Sequence, residues 1–259
     1  MSIVETNKEN ALAFFRRDVY RYFVEVVALA RNMPPIPRKL FASPIHPDLF
    51  MLVEDYPRGR CAIVCGYEEA FVRDCLAWLA GASGMYWLMA FDERVIGQAR
   101  AEHAVGPVRS GRSFACTSLD RVPALTVVAA KLTLADRDAF GRYPVESSST
   151  RPPLALLFNH LVLNHGGEIL AIREGEEIVA WLSCMKELEE MWDVDFIHVR
   201  ADRRHRGLGT QIAAAYARDK LLAGDIPYYS GAANEASERA ALNAGFVCCR
   251  ETFSAEVTA

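Results

Sequence analysis

The stretch that most constrains this chain is Val199-Arg200-Ala201-Asp202-Arg203-Arg204-His205-Arg206-Gly207-Leu208-Gly209-Thr210-Gln211-Ile212. Residues 191–199 read as a strand that must end at Val199, where a basic turn begins. Gly-x-Gly then opens a helix whose apolar stripe, Leu208, Ile212, Ala215, Tyr216 and Leu222, runs on to a stop at Gly224. Glycines let the backbone approach a bound group with no Cβ in the way. The first N–H groups of a helix lack partners within it, and together with the helix dipole they favour an anion. Arg204 and Arg206 add two full positive charges. Residues of these types in this order suit a pyrophosphate.

The residues also exclude the commoner pyrophosphate sites. A nucleoside triphosphate loop needs Gly-x-x-x-x-Gly-Lys-Ser/Thr, and no such lysine follows here. A dinucleotide fingerprint needs a third glycine at the position of Ile212, early in a βαβ unit, whereas the strands before this turn read as antiparallel. Residues 169–173 and 178–184 form a hairpin pattern around Glu174-Gly175-Glu176, and 191–199 is the third strand. Strict alternation predicts Trp192, Val194, Phe196 and His198 on one face of that strand. Met191, Asp193, Asp195, Ile197 and Val199 fall on the other.

Upstream, 127–132 reads as a strand, Thr133-Leu134-Ala135-Asp136 as a turn into a short helix, 146–153 as a polar loop ended by prolines, and 154–164 as a helix stopped at Gly166-Gly167. Around Pro123 lies the expected boundary between a first domain, 1–124, and a second, 125–259. The first reads as alternating strands and helices: a helix over 10–32, strands near 49–53 and 61–65, a helix over 68–80, a strand at 86–91, a helix capped by Asp92 and a strand at 113–119. No motif in it carries chemistry.

The chain has 259 residues and a formal net charge of −4, so no global field favours nucleic acid or an anionic membrane. No apolar run approaches the roughly 20 residues that span a bilayer, and the polar first ten residues do not open a secretion signal. A cytoplasmic protein is expected. Seven cysteines without redox or zinc spacing, several of them in apolar runs such as 62–65 and 246–248, read as reduced, buried and inert. His160 and His165 have no companions for a metal site, and no metal is expected.

Arg-x-x-Gly-x-Gly after a strand ending in Val and before a helix resembles motif A of the GNAT acetyltransferases. The likeness extends from 127 to 259: Leu132-Thr133-Leu134-Ala135-Asp136 at the opening, Ile226-Pro227-Tyr228-Tyr229-Ser230 as the next strand, then Asn234-Glu235-Ala236-Ser237 capping a helix that ends at Ala244-Gly245-Phe246. The 227–237 run resembles the branch that includes zwittermicin-resistance acetyltransferases.

The resemblance implies an α+β GNAT fold with a mixed, mostly antiparallel sheet, helices on both faces and a splay where coenzyme A enters, preceded by a smaller α/β domain that is either a degenerate relative or a cover for the substrate. It implies acetyl-CoA as donor and a small-molecule primary amine as acceptor, in a monomer or homodimer. The implied cofactor contacts are Ile197, His198 and Val199 on the strand, Arg204, His205, Arg206, Gly207, Leu208, Gly209 and Thr210 in the turn, and Asn234 and Ser237. An amine must lose a proton to attack, so Asp193 and Asp195 are the candidate bases. The family's general-acid tyrosine corresponds to Ala241, a departure for which Tyr228, Tyr229 and Ser230 are candidate substitutes. That departure keeps open a rival reading, a non-catalytic module that binds acyl-CoA for regulation.

Overall fold

The computed structural model describes residues 3–31, 36–57, 59–82, 84–144, 154–232 and 234–259. The chain divides into two compact units, Met1–Arg112 with Arg250–Ala259, and Ser113–Cys249. A linear cut at 124/125 therefore leaves 113–124 and 250–259 apart from the residues they pack with. Among the described residues no helix is long and apolar enough to cross a membrane.

The first unit begins with β1 (Val4–Glu5), α1 (Lys8–Phe15) and α2 (Phe23–Arg31). One helix over 10–32 is not what forms. Asn7 caps α1, the helix tightens into a 3₁₀ turn at Arg16–Asp18, and the Asp18 carboxylate takes the N–H of Arg21, so the chain restarts as α2. β2 (Arg38–Ala42), β3 (Phe50–Tyr56) and β4 (Gly59–Cys65) form an antiparallel meander. The first of these went unread, because Arg38 and Lys39 mask its alternation. α3 (Glu69–Ala82) crosses to β5 (Met85–Ala90), which lies parallel to β4; α4 (Glu93–Glu102) follows, capped by Asp92 as expected, then β6 (Ala104–Val105). Phe71, Val72, Cys75 and Leu76 of α3 and Val95 and Ile96 of α4 bury their side chains with Met51, Val64 and Leu88 of the strands.

The second unit takes the end of β7 (Arg109–Ala115), then β8 (Ala129–Lys131). Thr133 and Asp136 form a capping box that launches a 3₁₀ turn and α5 (Arg137–Gly141). The proline-ended loop expected at 146–153 lies outside the described residues. α6 (Leu154–Phe158) runs on as a π-helical turn to Asn164. β9 (Glu168–Glu174), β10 (Glu177–Leu188) and β11 (Met191–Val199) make the expected antiparallel set. α7 (Leu208–Leu222) then leads to β12 (Ile226–Tyr229), parallel to β11, and α8 (Glu235–Asn243) to β13 (Val247–Thr258). Bonds from Asp225 N–H to the Lys220 carbonyl and from Gly224 N–H to that of Leu221 form a Schellman stop, so α7 ends where Gly224 requires. Leu182, Val194, Ile212 and Tyr216 fill the core on one face, while Trp181, Phe140, Phe158 and Ile169 fill it on the other.

The seven cysteines are all free. Cys65, Cys75, Cys116 and Cys184 are buried, and burial raises each thiol above its ordinary range. Cys248 departs from the buried reading: it is exposed, because it lies near the start of β13, where Val247 and Cys248 both face solvent.

β13 continues into the first unit, where its end pairs with β5 and β6. There the Arg250 guanidinium forks onto Glu25 at 2.7 and 2.9 Å, with side-chain exposures of 6% and 0%. Taking away one partner strands the other's charge in the core, so Arg250→Ala should cost about 3–5 kcal/mol in urea unfolding of this unit. The double change Glu25→Leu/Arg250→Met should recover most of that loss. A single-variant loss under ~1 kcal/mol, the range of an exposed pair, would contradict this account.

Candidate functional site

β11 and β12 run parallel for only three rungs, Met191↔Ile226, Trp192↔Pro227 and Asp193↔Tyr228. Beyond Asp193 the register stops, although β11 continues six residues to Val199. β12 itself ends at Tyr229, so β11 runs on beyond the ladder, and the opening left there is the fork of this unit. The root of the fork is held from several sides. The Trp192 indole N–H donates to Asp225 at 2.8 Å, and the Lys220 ammonium sits 3.6 Å from the centre of the Trp192 ring. Tyr216, fully buried on α7, points its hydroxyl at the carbonyls of Trp192 (2.6 Å) and Tyr228 (3.3 Å), one on each strand. Its place in an apolar helical stripe with Ile212 disguises this role, and the only signal for it in sequence is that a buried phenol needs a polar partner.

The turn between β11 and α7 sits at the open end. Arg204, His205, Arg206 and Gly207 are all exposed. His205 and Gly207 both take left-handed backbone, φ 64° and 76°, the first being uncommon for a residue with a Cβ. A Cβ added at Gly207 would meet nothing within 4 Å, so the space over the turn is open. The first intrahelical bond reaches back from Gln211 N–H to the Gly207 carbonyl, so the N–H groups of Leu208, Gly209 and Thr210 have no helical acceptor. Arg203, which the sequence groups with the other arginines of the turn, is turned aside: it bonds Glu174 at 2.8 Å and Asp202 at 2.6 Å. Arg206 lies 3.7 Å from Glu174, and the Arg204 Nε is 3.4 Å from the Val199 carbonyl.

On β11 the alternation read from sequence fails, for one reason. Ser183 on β10 pairs with Phe196 but the next residue, Cys184, pairs with Val194, so Asp195 is an extra residue, a β-bulge. The faces exchange there. Trp192 and Val194 share the α7 core with Ile197 and Val199. Phe196 and His198 instead meet Trp181 on the opposite face, where His198 Nδ1 and the Tyr143 hydroxyl are 2.9 Å apart. The expected grouping of Asp193 and Asp195 with Ile197 and Val199 on one face is therefore corrected.

Asp193 lies at the root of the fork. Its two oxygens accept the N–H and hydroxyl of Ser230, at 2.9 and 2.6 Å, from the residue that follows β12. The carboxylate thus bridges the strands just where their backbone pairing stops. Burial pushes its pKa up to about 7; the Ser230 bonds pull the other way, and the charges of Asp195 and Glu187 add to the rise. Asp195, on the exposed bulge, is raised to about 6 by loss of solvent and then by Glu187. Of the three candidate substitutes for the missing acid, Ser230 is the one joined to Asp193. Tyr229 bonds Ser237, and Tyr228 is fully buried. Asn234 caps α8 by accepting the Ser237 N–H, so both expected cofactor contacts there hold structural bonds. Ala241 is fully buried in the α7 core.

Residues 133–246 match the family model described as acetyltransferase (GNAT) family. This part of the chain is a GNAT domain. The match supports acyltransferase chemistry for residues 133–246. No functionally curated protein matches it in sequence. Solved structures share its fold at low identity. A GNAT-family acetyltransferase from Colwellia psychrerythraea is 11% identical with TM-score 0.63, covering 100% of both chains. A GCN5-related N-acetyltransferase from Sphaerobacter thermophilus is 13% identical with TM-score 0.61, covering 98% of this chain and 94% of its own. A tandem GNAT protein from the clavulanic acid biosynthesis pathway is 12% identical with TM-score 0.53, covering 99% and 97%.

In the GNAT domain the Tyr216 hydroxyl ties the two strands together at the root of the fork. Tyr216→Phe leaves two buried strand carbonyls short of a donor and should cost about 1–3 kcal/mol. It should also speed amide exchange in 191–194 and 226–230 more than in β9. Unchanged exchange at both strands would show that the hydroxyl does not hold them.

Proposed function

We propose that the chain is an N-acetyltransferase that moves an acetyl group from acetyl-CoA to a primary amine of a small molecule in the cytoplasm. The observation that carries this reading is the fork between β11 and β12 with the open, basic, glycine-bearing helix start at its mouth. The donor supplies an activated thioester. The N–H groups of Leu208, Gly209 and Thr210 and the charges of Arg204 and Arg206 would hold its pyrophosphate, with His205 and Gly207 shaping the turn. Past the bulge, no strand ladder is formed among the described residues along the edge of β11 that faced β12. Backbone groups near Ile197, His198 and Val199 are thereby left for the pantetheine arm and the acetyl carbonyl, as the family resemblance implies. The site fits the group on its own geometry: room at Gly207, donors at the helix start and positive charge around them.

Asp193 takes the proton that the attacking amine loses. A base must be ionised to act, and a pKa of about 7 puts Asp193 at that balance near neutrality. Ser230 steadies its ionised form. Asp195, more exposed, supplies negative charge that attracts the substrate ammonium. The rival reading, a regulatory module that binds acyl-CoA without turnover, draws on one observation: Ala241 stands in the core where the family has its acid. A thiolate is a fair leaving group that solvent can protonate, so this departure does not forbid catalysis.

Coenzyme A or acetyl-CoA should raise the melting temperature, since a ligand that binds only the folded state stabilises it, and ATP or NAD should do much less. Gly207→Val points a branched side chain into the open space and strains a φ of 76°, so it should abolish that shift while the protein stays folded. Equal shifts with all three ligands, or a full shift in the folded variant, would reject the assignment.

The pH dependence separates the two acids. Below its pKa the base is protonated and the rate falls, so the acid limb should have its midpoint near 7 if Asp193 is the base and near 6 if Asp195 is. Asp193→Asn should lower turnover roughly 100-fold and flatten that limb without changing coenzyme A affinity. Ser230→Ala removes a bond that favours the ionised carboxylate, so it should move the limb to higher pH. A limb unmoved in both variants would exclude Asp193.

A further inference from the structure

We infer that the first unit repeats the strand–helix design of the GNAT domain with its anion site closed from within, so that each chain binds one coenzyme A, and only in the second unit. The inference rests on the cofactor reading above. In both units an antiparallel meander ends in a strand that feeds a helix, a parallel strand and a second helix: β4, α3, β5, α4 in one and β11, α7, β12, α8 in the other. The parts that matter to a ligand then differ at every point.

The parallel pair of the first unit does not fork. β4 and β5 stay in register from Arg60↔Tyr86 to Val64↔Ala90, and Phe91 N–H still reaches the Val64 carbonyl at 3.3 Å. In the GNAT domain the matching ladder has three rungs and then opens. The turn that follows also has the opposite charge. Gly66-Tyr67-Glu68-Glu69 stands where the other unit has its arginines. Glu68 folds its carboxylate back onto the start of α3, one oxygen on Ala70 N–H at 3.0 Å and the other on Phe71 N–H at 2.7 Å. These two bonds hold its pKa below the ordinary carboxylate range. Two of the three N–H groups that a phosphate would use at this helix start are thus occupied by an anion of the chain itself.

Space is missing as well. A Cβ at Gly66 would lie 2.6 Å from Leu49 and 2.8 Å from the Asp48 carbonyl, whereas one at Gly207 meets nothing within 4 Å. At this same end of β4, aromatic rings fill the volume. Phe50 pairs with Cys65, and its ring packs against Phe14 and Phe15 at 5.1 and 5.2 Å. Tyr22 meets Phe91 at 5.0 Å, and the Arg250 guanidinium, paired with Glu25, sits 4.8 Å from the Phe91 ring. A pantetheine arm would have to displace this packed cluster and break a buried ion pair.

Calorimetric titration of the whole chain with coenzyme A should give one site per chain. Amide exchange with and without coenzyme A should show slowing in 199–212 and none in 64–73. Gly207→Val should remove the site, and the exchange pattern of the unaltered chain tests the same point should that variant not fold. Two sites per chain, slowing at 64–73, or binding that survives Gly207→Val in a folded protein would each overturn the inference. One site with slowing confined to 64–73 would overturn it while leaving coenzyme A binding intact. No binding at all would overturn the cofactor reading and the single-site count together.

Discussion

The second unit is organised around a ladder that stops. Parallel strands that continued to pair would bury the backbone groups of β11 from Val194 onward, and nothing could reach them. Here the pairing ends at Asp193↔Tyr228, and the free energy of closing it further is opposed by several local arrangements. The bulge at Asp195 turns β11 and reverses its faces. Tyr216 holds both strands by their carbonyls at the root, and Asp193 replaces the next rung with side-chain bonds to Ser230. Lys220 and Asp225 fix Trp192 below them. These bonds order the walls of the gap from within the chain, which would lower the cost of binding because little would need to be ordered when a ligand arrives.

Electrostatics follow the same geometry. The open end carries unpaired helix N–H groups and exposed arginines, and the root carries a carboxylate whose proton affinity is raised by burial. On the proposed reading an anion would be drawn to one end, and an attacking amine would lose its proton at the other. The acids Glu174, Glu177 and Asp202 around the turn engage Arg203 and Arg200, which keeps those side chains in place and leaves the approach to Gly207 clear. In the first unit the same elements, with a continuous ladder and Glu68 on the helix start, make a packed body instead of a cleft.

What was legible in sequence is what depends on local chemistry. The span of β11, the helix from Leu208 to the Gly224 stop, the Glu174-Gly175-Glu176 hairpin and the Asp92 and Asn234 caps all follow from residue type and spacing. What was hidden depends on partners distant in the chain. A period of two cannot show that Asp195 is an extra residue, since a bulge is defined by the strand beside it. Tyr216 reads as one more apolar residue of a helix, and Ser230 reads as one of three equivalent candidates until its bond with Asp193, 37 residues away, is seen. The two-part N-terminal helix failed to show because Asp18 and Arg21 interrupt it without glycine or proline. The division of the chain is non-contiguous because β13 begins in one unit and ends in the other, which no linear boundary can express.

Binding of coenzyme A would be common to an enzyme and to a regulatory module, so turnover is the measurement that separates them. Acetyl-CoA incubated with the whole chain and a panel of small primary amines can be followed by the appearance of free thiol, with the acetylated amine identified by mass. The account predicts thiol release that requires both the chain and an amine, in equal amount with the acetylated product. A chain that binds acetyl-CoA tightly yet releases no thiol above the background rate with any amine of a broad panel would contradict it.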